Sequence, residues 1–468
     1  MMRALYSGVS GLKTHQTKMD VIGNNIANVN TTAYKSQSVT FTELMYQTTQ
    51  AASGPNAVTG TAGTNAKQIG LGSVSGAIST AITTPGSSQT TGNPFDIKIT
   101  GDAFFIVNNG GDNFFTRDGS FYVDAAGNLA TTSTGYNVMG WGVSDSNPNL
   151  IKQDLVKPLR IMSPENMTYE PEATKEAYVS GILDKNDTDA GDVSGDGKII
   201  SMSIFDNLGY SYTVKVAIKE DQAAGDGNYT VQLMDILDSN NDSLTKVYDV
   251  ADINDIAKFD GTTVPLIYDT QTGEFKSING NDANGNPNKS VVLDFQDTAQ
   301  NSTGGTVDLG HFHDVNIDFS KSSMYNNNKT STISMVNGTE QGIDAGRKLG
   351  ELSGVSIDKS GRIYASYDNG CTKLLGQIAV ASFANASGLQ KEGDNLYSAT
   401  LNSGEFDGIG VDVSAGGGYM STGVLEMSNV DLSAEFTEMI TTQRGFQANS
   451  RIITVSDTLL EELVNLKR

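Results

Sequence analysis

The chain has 468 residues, which is enough for two or three domains with sizeable hydrophobic cores. Its formal net charge of −23 argues against binding to nucleic acid or to anionic membrane surfaces. The sequence contains no window of about 18 apolar residues, so no segment is predicted to span a membrane. A single cysteine, Cys371, excludes an internal disulfide framework and a metal site built from several thiolates. We interpret Cys371 as a passive small residue.

Residues 1–30 predict a long amphipathic helix. Their apolar residues recur three, four or seven positions apart: Leu5, Val9, Leu12, Met19, Ile22, Ile26 and Val29. The following segment, residues 31–75, is rich in Thr, Gln, Ala and Gly and has only a weak hydrophobic pattern. That composition is typical of a flexible tether, so we predict a linker there.

From residue 76 the pattern becomes that of β-structure, and it continues to residue 162 and again from 330 to 424. Phe104-Phe105-Ile106-Val107 is an apolar run typical of a buried strand. Asp118-Gly119 predicts a hairpin turn between Phe114-Phe115 and the run Phe121–Val123. Short strands at this spacing favour a sandwich-like or barrel-like middle β-domain.

Residues 163–329 predict a second β-domain inserted into the first. The run 201–216 reads as a hairpin that turns at Asp206 to Gly209. Residues 163–327 hold 28 acidic and 10 basic residues, so −18 of the net charge lies there. An acidic, glycine-rich segment of this kind is most simply an outer domain that faces water.

Residues 425–468 predict a second long helix, with Asp431 as its N-cap. Its apolar residues follow two stripes at helical spacing: Leu432, Phe436, Met439, Phe446, Ile453 and Leu460, then Ile452, Leu459, Leu463 and Leu466. Long helices at both ends suggest a coiled-coil stem closed by the termini. Neither helix has a neighbouring segment of matching pattern, which favours packing between molecules. The predicted fold class is mainly β, with nested β-domains between terminal α-helices.

Candidate chemical sites are weak. The loop 192–199 places Asp192, Ser194 and Asp196 at calcium-ligand positions, but Ser203 stands where a bidentate glutamate belongs. His311 and His313 lie on one face of a strand without a third ligand. No nucleophile elbow, phosphate-binding loop or dinucleotide fingerprint is present. We therefore predict no catalytic residues, no metal site and no cofactor.

Four stretches resemble the bacterial flagellar axial proteins, the rod and hook family. The terminal stretches are SGVSGLKTHQTKMDVIGNNIANVNTTAYK from residue 7 and SNVDLSAEFTEMITTQRGFQANSRIITVSDTLLEELVNLK from residue 428. The interior ones, residues 96–141 and 375–397, are similar to the middle-domain segments of the family's hook branch. The resemblance covers about three fifths of the chain and fails only in the middle.

The resemblance implies a non-enzymatic hook subunit that polymerises into a curved, hollow, extracellular tube and transmits torque as a universal joint. The coiled-coil termini would form the inner core, the middle β-domain a shell, and the inserted domain the outer surface. Implied partners are copies of itself, rod proteins, the hook cap and hook–filament junction proteins, with no nucleic acid and no membrane. Export would use the flagellar type III apparatus without a cleaved signal.

Two alternatives stay open on the sequence. A distal rod protein shares both terminal motifs, although such proteins lack a large inserted domain. A secreted calcium-dependent β-protein, such as an adhesin, would instead be a monomer whose thermal stability depends on calcium.

Overall fold

A computed structural model describes residues 2–55, 60, 62–144, 147–187, 196–281 and 285–466. The helices are α1 (Met2–Ala27), α2 (Pro164–Met167), α3 (Leu244–Val247) and α4 (Leu432–Asn465), with short 3-10 helices at Ile253–Asp255, Ala386–Gly388 and Val413–Gly416. Helices α1 and α4 have 26 and 34 residues, which corresponds to about 39 and 51 Å at 1.5 Å per residue. Most other regular structure is strand, which confirms the predicted fold class of a mainly β chain with long terminal helices.

The predicted N-cap of α4 is confirmed. An Asp431 carboxylate oxygen accepts hydrogen bonds from the backbone N–H groups of Ser433 (2.9 Å) and Ala434 (3.3 Å). These groups have no partner within the helix, so the carboxylate satisfies two of the donors that every helix start leaves free. Within the described ranges, no helix has the continuous apolar stretch that crossing a membrane requires.

The chain forms two compact units. The first comprises Met1–Asn166, Gly354–Ser366 and Thr372–Arg468, and the second comprises Met167–Ser353 and Tyr367–Cys371. The amino-terminal strands are β1 (Gln37–Glu43), β2 (Tyr46–Gln50), β3 (Lys67–Gly70), β4 (Ser73–Thr80), β5 (Ser88–Thr90), β6 (Ile97–Thr100), β7 (Phe104–Asn108), β8 (Asn113–Thr116), β9 (Phe121–Val123), β10 (Leu129–Thr131), β11 (Asn137–Ser144), β12 (Asn147–Ile151) and β13 (Lys157–Pro158).

The remaining strands continue the numbering. They are β14 (Thr168–Tyr169), β15 (Glu176–Ile182), β16 (Lys198–Phe205), β17 (Ser211–Glu220), β18 (Asn228–Leu237), β19 (Ala257–Phe259), β20 (Val264–Tyr268), β21 (Phe275–Ile278), β22 (Ser290–Phe295), β23 (Thr298–Gln300), β24 (Thr306–Asp308), β25 (Val315–Ser323), β26 (Ser334–Asn337), β27 (Gly350–Ile357), β28 (Arg362–Tyr367), β29 (Thr372–Ile378), β30 (Val380–Ala381), β31 (Gln390–Gly393), β32 (Leu396–Ser398), β33 (Tyr419–Thr422) and β34 (Val424–Glu426).

The first unit is built around an antiparallel sheet in the order β28-β29-β11-β7-β8-β32-β31. Strand β7 lies inside this sheet, and its apolar run is buried on both faces. Phe105 and Val107 belong to one hydrophobic cluster, whereas Phe104 and Ile106 belong to a second cluster. Because side chains alternate along a strand, a continuous apolar run is what a strand covered on both faces requires.

The predicted hairpin turn at Asp118-Gly119 is wrong. Strand β8 pairs with β7 and β32, while β9 pairs with β10. Residue 119 runs beside β6 instead, since the Gly119 carbonyl accepts a hydrogen bond from the Ile97 N–H (2.9 Å). A Cβ at Gly119 would lie 1.7 Å from the Ile97 carbonyl oxygen, so glycine is needed here for a close approach rather than a turn.

The predicted linker over residues 31–75 carries regular structure. Strand β1 pairs with β4, and β2 pairs with β3, both antiparallel. Nearly every residue of these strands is exposed, which explains the weak hydrophobic pattern. Backbone pairing of Thr-rich segments produces the strands without a buried apolar face, and β-branched threonine favours the extended conformation.

The second unit consists of two five-stranded sheets, β19-β22-β25-β15-β26 and β16-β17-β18-β20-β21, that share one hydrophobic core. The hairpin predicted at residues 206–209 is confirmed, because β16 and β17 pair up to Phe205 and Ser211. The unit begins at Met167, close to the expected 163, but it runs to Ser353 rather than 329. Strand β26 explains the difference, since it completes the first sheet beside β15.

Asp184 fastens the second unit at the end of β15. Its buried carboxylate accepts hydrogen bonds from the backbone N–H groups of Asn186 (2.9 Å), Asn327 (2.6 Å) and Lys329 (2.9 Å). The N–H donors of Asn186 and Asn327 are the main cause that lowers the pKa of Asp184. The ionised carboxylate therefore stabilises the fold above the ordinary aspartate pKa of about 3.9, and this stabilisation is lost as pH falls through the lower folded value.

We predict that Asp184→Asn lowers the melting temperature of the second unit at neutral pH, because an amide cannot accept these bonds as well as a carboxylate does. The difference from wild type should shrink as pH falls through the folded pKa of Asp184. Calorimetry over a pH series measures both effects. Asp297→Asn, at an exposed carboxylate, is the control. Equal melting temperatures for Asp184→Asn and Asp297→Asn at neutral pH would contradict the prediction.

Candidate functional site

The terminal helices pair within the chain. A Cβ at Gly8 would lie 3.2 Å from Ile453, a Cβ at Gly11 would lie 2.7 Å from the Asn449 amide, and Lys18 pairs with Glu438 at 3.0 Å. Positions thus rise along α1 as they fall along α4, which makes the pair antiparallel. The expected stem of the two terminal helices is therefore present within one chain, whereas the sequence had favoured packing of each helix between molecules.

Small and polar side chains form the seam between α1 and α4. The fully buried residues of the two helices are Gly8, Gly11, Thr14, Ile22 and Asn25 on α1 and Thr442 and Ser456 on α4. Side chains this small let the two backbones approach closely. The sequence reasoning missed them because it followed apolar residues, although the run of small residues at positions 7, 8, 10, 11 and 14 was the available signal.

Asn25 joins the two helices where α1 ends and α4 begins. Its amide nitrogen donates to Glu435 Oε1 and to the Gln37 carbonyl, both at 2.8 Å, and its oxygen accepts from the Gln37 N–H at 3.0 Å. Burial raises the pKa of Glu435, an effect that the hydrogen bond from Asn25 partly offsets. One buried side chain thereby joins α1, α4 and the start of β1.

Helix α1 also packs on the β1–β4 hairpin. The Thr14 and Ser73 hydroxyls are 3.3 Å apart, and the rings of His15 and Phe41 meet edge to face with centroids 5.5 Å apart. Burial between these elements is the main cause that lowers the pKa of His15. The hairpin is therefore part of the surface that presents the helix pair.

The single chain covers most of the predicted subunit-packing residues at least in part and leaves four of them exposed. Only Ile22 is fully buried. The half-buried residues are Leu5, Leu12, Met19, Ile26, Met439, Phe446, Ile453 and Leu460, and the exposed ones are Val9, Leu432, Phe436 and Leu463. Phe436 is 50% exposed and Leu463 is 48% exposed. Ile453 lies in the seam beside Gly8, so the part of the predicted stripes that stays open to other molecules is the four exposed residues.

The carboxyl-terminal turns of α4 extend beyond α1. Gly8 lies opposite Asn449 and Ile453, and only Met2–Ser7 of α1 precedes it. In an antiparallel pair, each step toward the start of one helix is a step of about one residue toward the end of its partner. The start of α1, six residues before Gly8, therefore lies near residue 459 of α4. Leu459, Leu463 and Leu466, which are 45%, 48% and 83% exposed, lie at or past that point. This overhang is an apolar surface without a covering helix in the chain.

The rejected chemical sites gain no support. Among the described residues, no group of three or more His, Cys, Asp and Glu side chains is placed to hold a metal ion. His311 Nε2 lies 3.9 Å from Asp206, and His313 Nδ1 lies 3.0 Å from the Asp314 carbonyl oxygen. Cys371 is half-buried, with the Arg347 guanidinium 3.1 Å from its sulfur. Residues 192–195, the first half of the loop 192–199, lie outside the described residues.

Three segments of the chain, one at each end and one in the middle, match known protein families. Residues 5–35 match the flagella basal body rod protein family, and residues 421–466 match the C-terminal domain of the flagellar basal body rod FlgEFG proteins. Residues 98–176 match the D1 domain of the flagellar hook proteins FlgE/F/G. The matched segments thus include both helices of the pair.

Full-length relatives decide the family. The flagellar hook protein FlgE of Borreliella burgdorferi is 34% identical over 100% of both chains, and that of Treponema pallidum gives the same figures. The chain belongs to the flagellar hook protein family. The flagellar basal-body rod protein FlgG of Bacillus subtilis is also similar, at 29% identity over 100% of both chains.

We predict that Gly11→Leu separates this hook-family helix pair, whereas Gly23→Leu on the same helix does not. A Cβ at Gly11 would lie 2.7 Å from the Asn449 side chain, but a Cβ at Gly23 has no neighbour within 4 Å. Both substitutions gain about 1 kcal/mol of helix propensity, so only the clash differs. Loss of helical circular dichroism and faster proteolysis at Lys13 and Lys18 are expected for Gly11→Leu alone. Identical behaviour of the two variants would show that the seam does not hold the helices.

Proposed function

We propose that this chain is the structural, non-enzymatic subunit of a bacterial flagellar hook and polymerises into a curved, hollow tube. The observation that carries the proposal is the exposed apolar surface of the helix pair in a chain of the hook family. Phe436, Ile440 and Val455 are at least half exposed on one helix. Phe436 and Ile440 are neighbours one turn apart, and neighbouring exposed apolar side chains are typical of protein–protein interfaces. Copies of the same chain are its partner in a homopolymer.

In the proposed tube the helix pairs form the inner core, where the stripes of neighbouring copies cover each other. The first unit's β-sheet forms a shell around this core, and the acidic second unit forms the outer surface. Many individually weak polar contacts between neighbouring subunits would let these subunits slide as the tube bends, since weak contacts exchange easily. The tube would then transmit torque from rod to filament as a universal joint.

The remaining parts of the proposal follow from hook-family membership. Rod proteins, the hook cap and hook–filament junction proteins are the proposed partners at the two ends of the tube. The proposed location is extracellular, after export through the flagellar type III apparatus without a cleaved signal.

A distal rod protein is the second candidate, favoured by the similarity to the rod protein of Bacillus subtilis. Negative-stain microscopy separates the two, because hook tubes curve and rods are straight.

We predict that Phe436→Glu abolishes tube formation and leaves the monomer's melting temperature unchanged. The side chain is 50% exposed in the single chain, but a glutamate in an apolar interface costs about 2 kcal/mol or more. The critical concentration for polymerisation, measured by sedimentation, should therefore rise at least about tenfold. Val247→Glu, at a residue that is 49% exposed in the second unit, is the matched control. Normal tubes from Phe436→Glu would remove α4 from the proposed core.

We also predict that replacing residues 167–353 by a short flexible linker still permits assembly, and that the tubes become narrower. The hydrophobic cluster of the second unit and the two clusters of the first share no residue, so each core can form without the other. Calorimetry should retain the melting transition of the first unit, and microscopy should measure the reduced diameter. Loss of that transition would show that the two cores fold together.

A further inference from the structure

A buried cluster of charges lies where both terminal segments meet the β-sheet of the first unit. The side chains of Lys35 and Glu426 are fully buried, and Lys35 Nζ lies 2.7 Å from Glu426 Oε1. The Arg117 guanidinium, 1% exposed, lies 3.8 Å from Glu426 Oε2. Lys98, 9% exposed, donates to the Gly86 carbonyl at 2.9 Å. Three cations therefore share a buried site with one central carboxylate.

Glu426 connects three separate passages of the chain. Its Oε1 accepts hydrogen bonds from Lys35 Nζ and from the Gly86 N–H (2.9 Å), and its own backbone carbonyl accepts from the Ala33 N–H (2.8 Å). Lys35 Nζ also donates to the Thr84 carbonyl at 2.8 Å. The segments that enter and leave the helix pair are thus tied to the loop before β5.

Asn429, three residues closer to α4 than Glu426, also joins the amino-terminal segment to the loop before β5. Its oxygen accepts from the Ser36 N–H at 2.8 Å, and its amide nitrogen donates to the Ala81 (2.9 Å) and Thr84 (3.1 Å) carbonyls. We call the three segments 33–36, 81–88 and 426–429 the neck. Apart from the exposed bond between Asn429 and the Thr84 carbonyl, its side-chain bonds are buried or half-buried, so they exclude much of the competing water that weakens hydrogen bonds at the surface.

The neck differs from the helix pair beyond it. Of the 34 residues of α4 only Thr442 and Ser456 are buried, so few apolar contacts hold this helix in a single chain. Elements with few buried contacts open more readily than those with many. In contrast, opening the neck would separate Lys35 and Arg117 from Glu426, and a buried charge that loses its partner is strongly unfavourable.

We propose that the neck is a fixed anchor with Glu426 as its central positioning residue. It holds residues 33–36 and 426–429 to the β-sheet of a single chain even when α1 and α4 separate. The helices α1 and α4, which move during assembly, are then joined to the rest of the chain at the neck. The predicted flexible linker over residues 31–75 would instead have placed this junction near residue 75. Because the anchor holds the end of α1 and the start of α4 at one point of the first unit, both helices meet neighbouring copies in a defined position. This role of the anchor rests on the proposed assembly.

Hydrogen exchange of the full-length monomer, followed by mass spectrometry, tests the anchor without requiring tubes. In the wild type, peptides that contain residues 33–36, 81–88 and 426–429 should exchange at least about tenfold more slowly than peptides of α1 and α4. Glu426→Gln removes the charge and keeps the shape. We expect it to abolish the difference at the neck and to leave the protection of β7 unchanged. Glu405→Gln, at an exposed glutamate, should behave as wild type.

A second variant guards against general unfolding. Lys35→Met keeps Glu426 beside Arg117 and removes the two bonds of Lys35, to Glu426 and to the Thr84 carbonyl, so faster exchange should appear mainly at residues 33–36. Neck peptides that exchange as fast as the helices in the wild type would overturn the proposal. So would unchanged exchange in Glu426→Gln, or loss of β7 protection in both Glu426→Gln and Lys35→Met. Because all these measurements use the monomer, failure of tube assembly would contradict the proposed function and leave the anchor standing.

Discussion

The architecture of the first unit depends on one constraint: elements from the beginning of the chain are completed by elements from its end. Helix α1 pairs with α4, β5 pairs with β34, and β6 pairs with β33. Such pairings span more than 300 residues, so neither end can build its layer alone. Contacts between distant segments carry a large loop-closure cost, which dense bonding at the meeting points must offset. The buried ion cluster around Glu426 and the amide contacts of Asn25 lie at these meeting points.

The seam between the helices explains how one pair of helices can serve both the chain and a polymer. Gly8 and Gly11 let α1 approach Ile453 and Asn449 of α4 closely. The larger side chains, such as Phe436 and Leu463, are then left on the outside. A seam of leucines would have used the apolar residues within the monomer and left none for assembly. In the proposed polymer these exposed side chains would form the contacts between molecules.

The β-structure of the chain is stabilised in two different ways, by a hydrophobic core or by contacts with neighbouring elements. The second unit has one core that recruits residues from both of its five-stranded sheets, and its acidic residues keep its surface soluble. The hairpins β1–β4 and β2–β3 have almost no core and rely on backbone pairing and on the contact with α1. An isolated two-stranded hairpin is only marginally stable in water, so these hairpins depend on their neighbours.

The sequence by itself determined the terminal helices, the Asp431 cap, the mainly β interior, the hairpin at residues 206–209 and the family. Each of these follows from a local signal, either a period of apolar residues, a capping side chain, a turn or an exact run of residues. Tertiary structure alone decided which strand pairs with β8, why β1 to β4 form in a segment without a hydrophobic pattern, and where the second unit ends. It also decided that Gly11 rather than Leu12 lies at the centre of the helix seam. The reason is that strand partners and close backbone approaches depend on residues far apart in the chain, whereas periodicity reports only which face of an element is apolar.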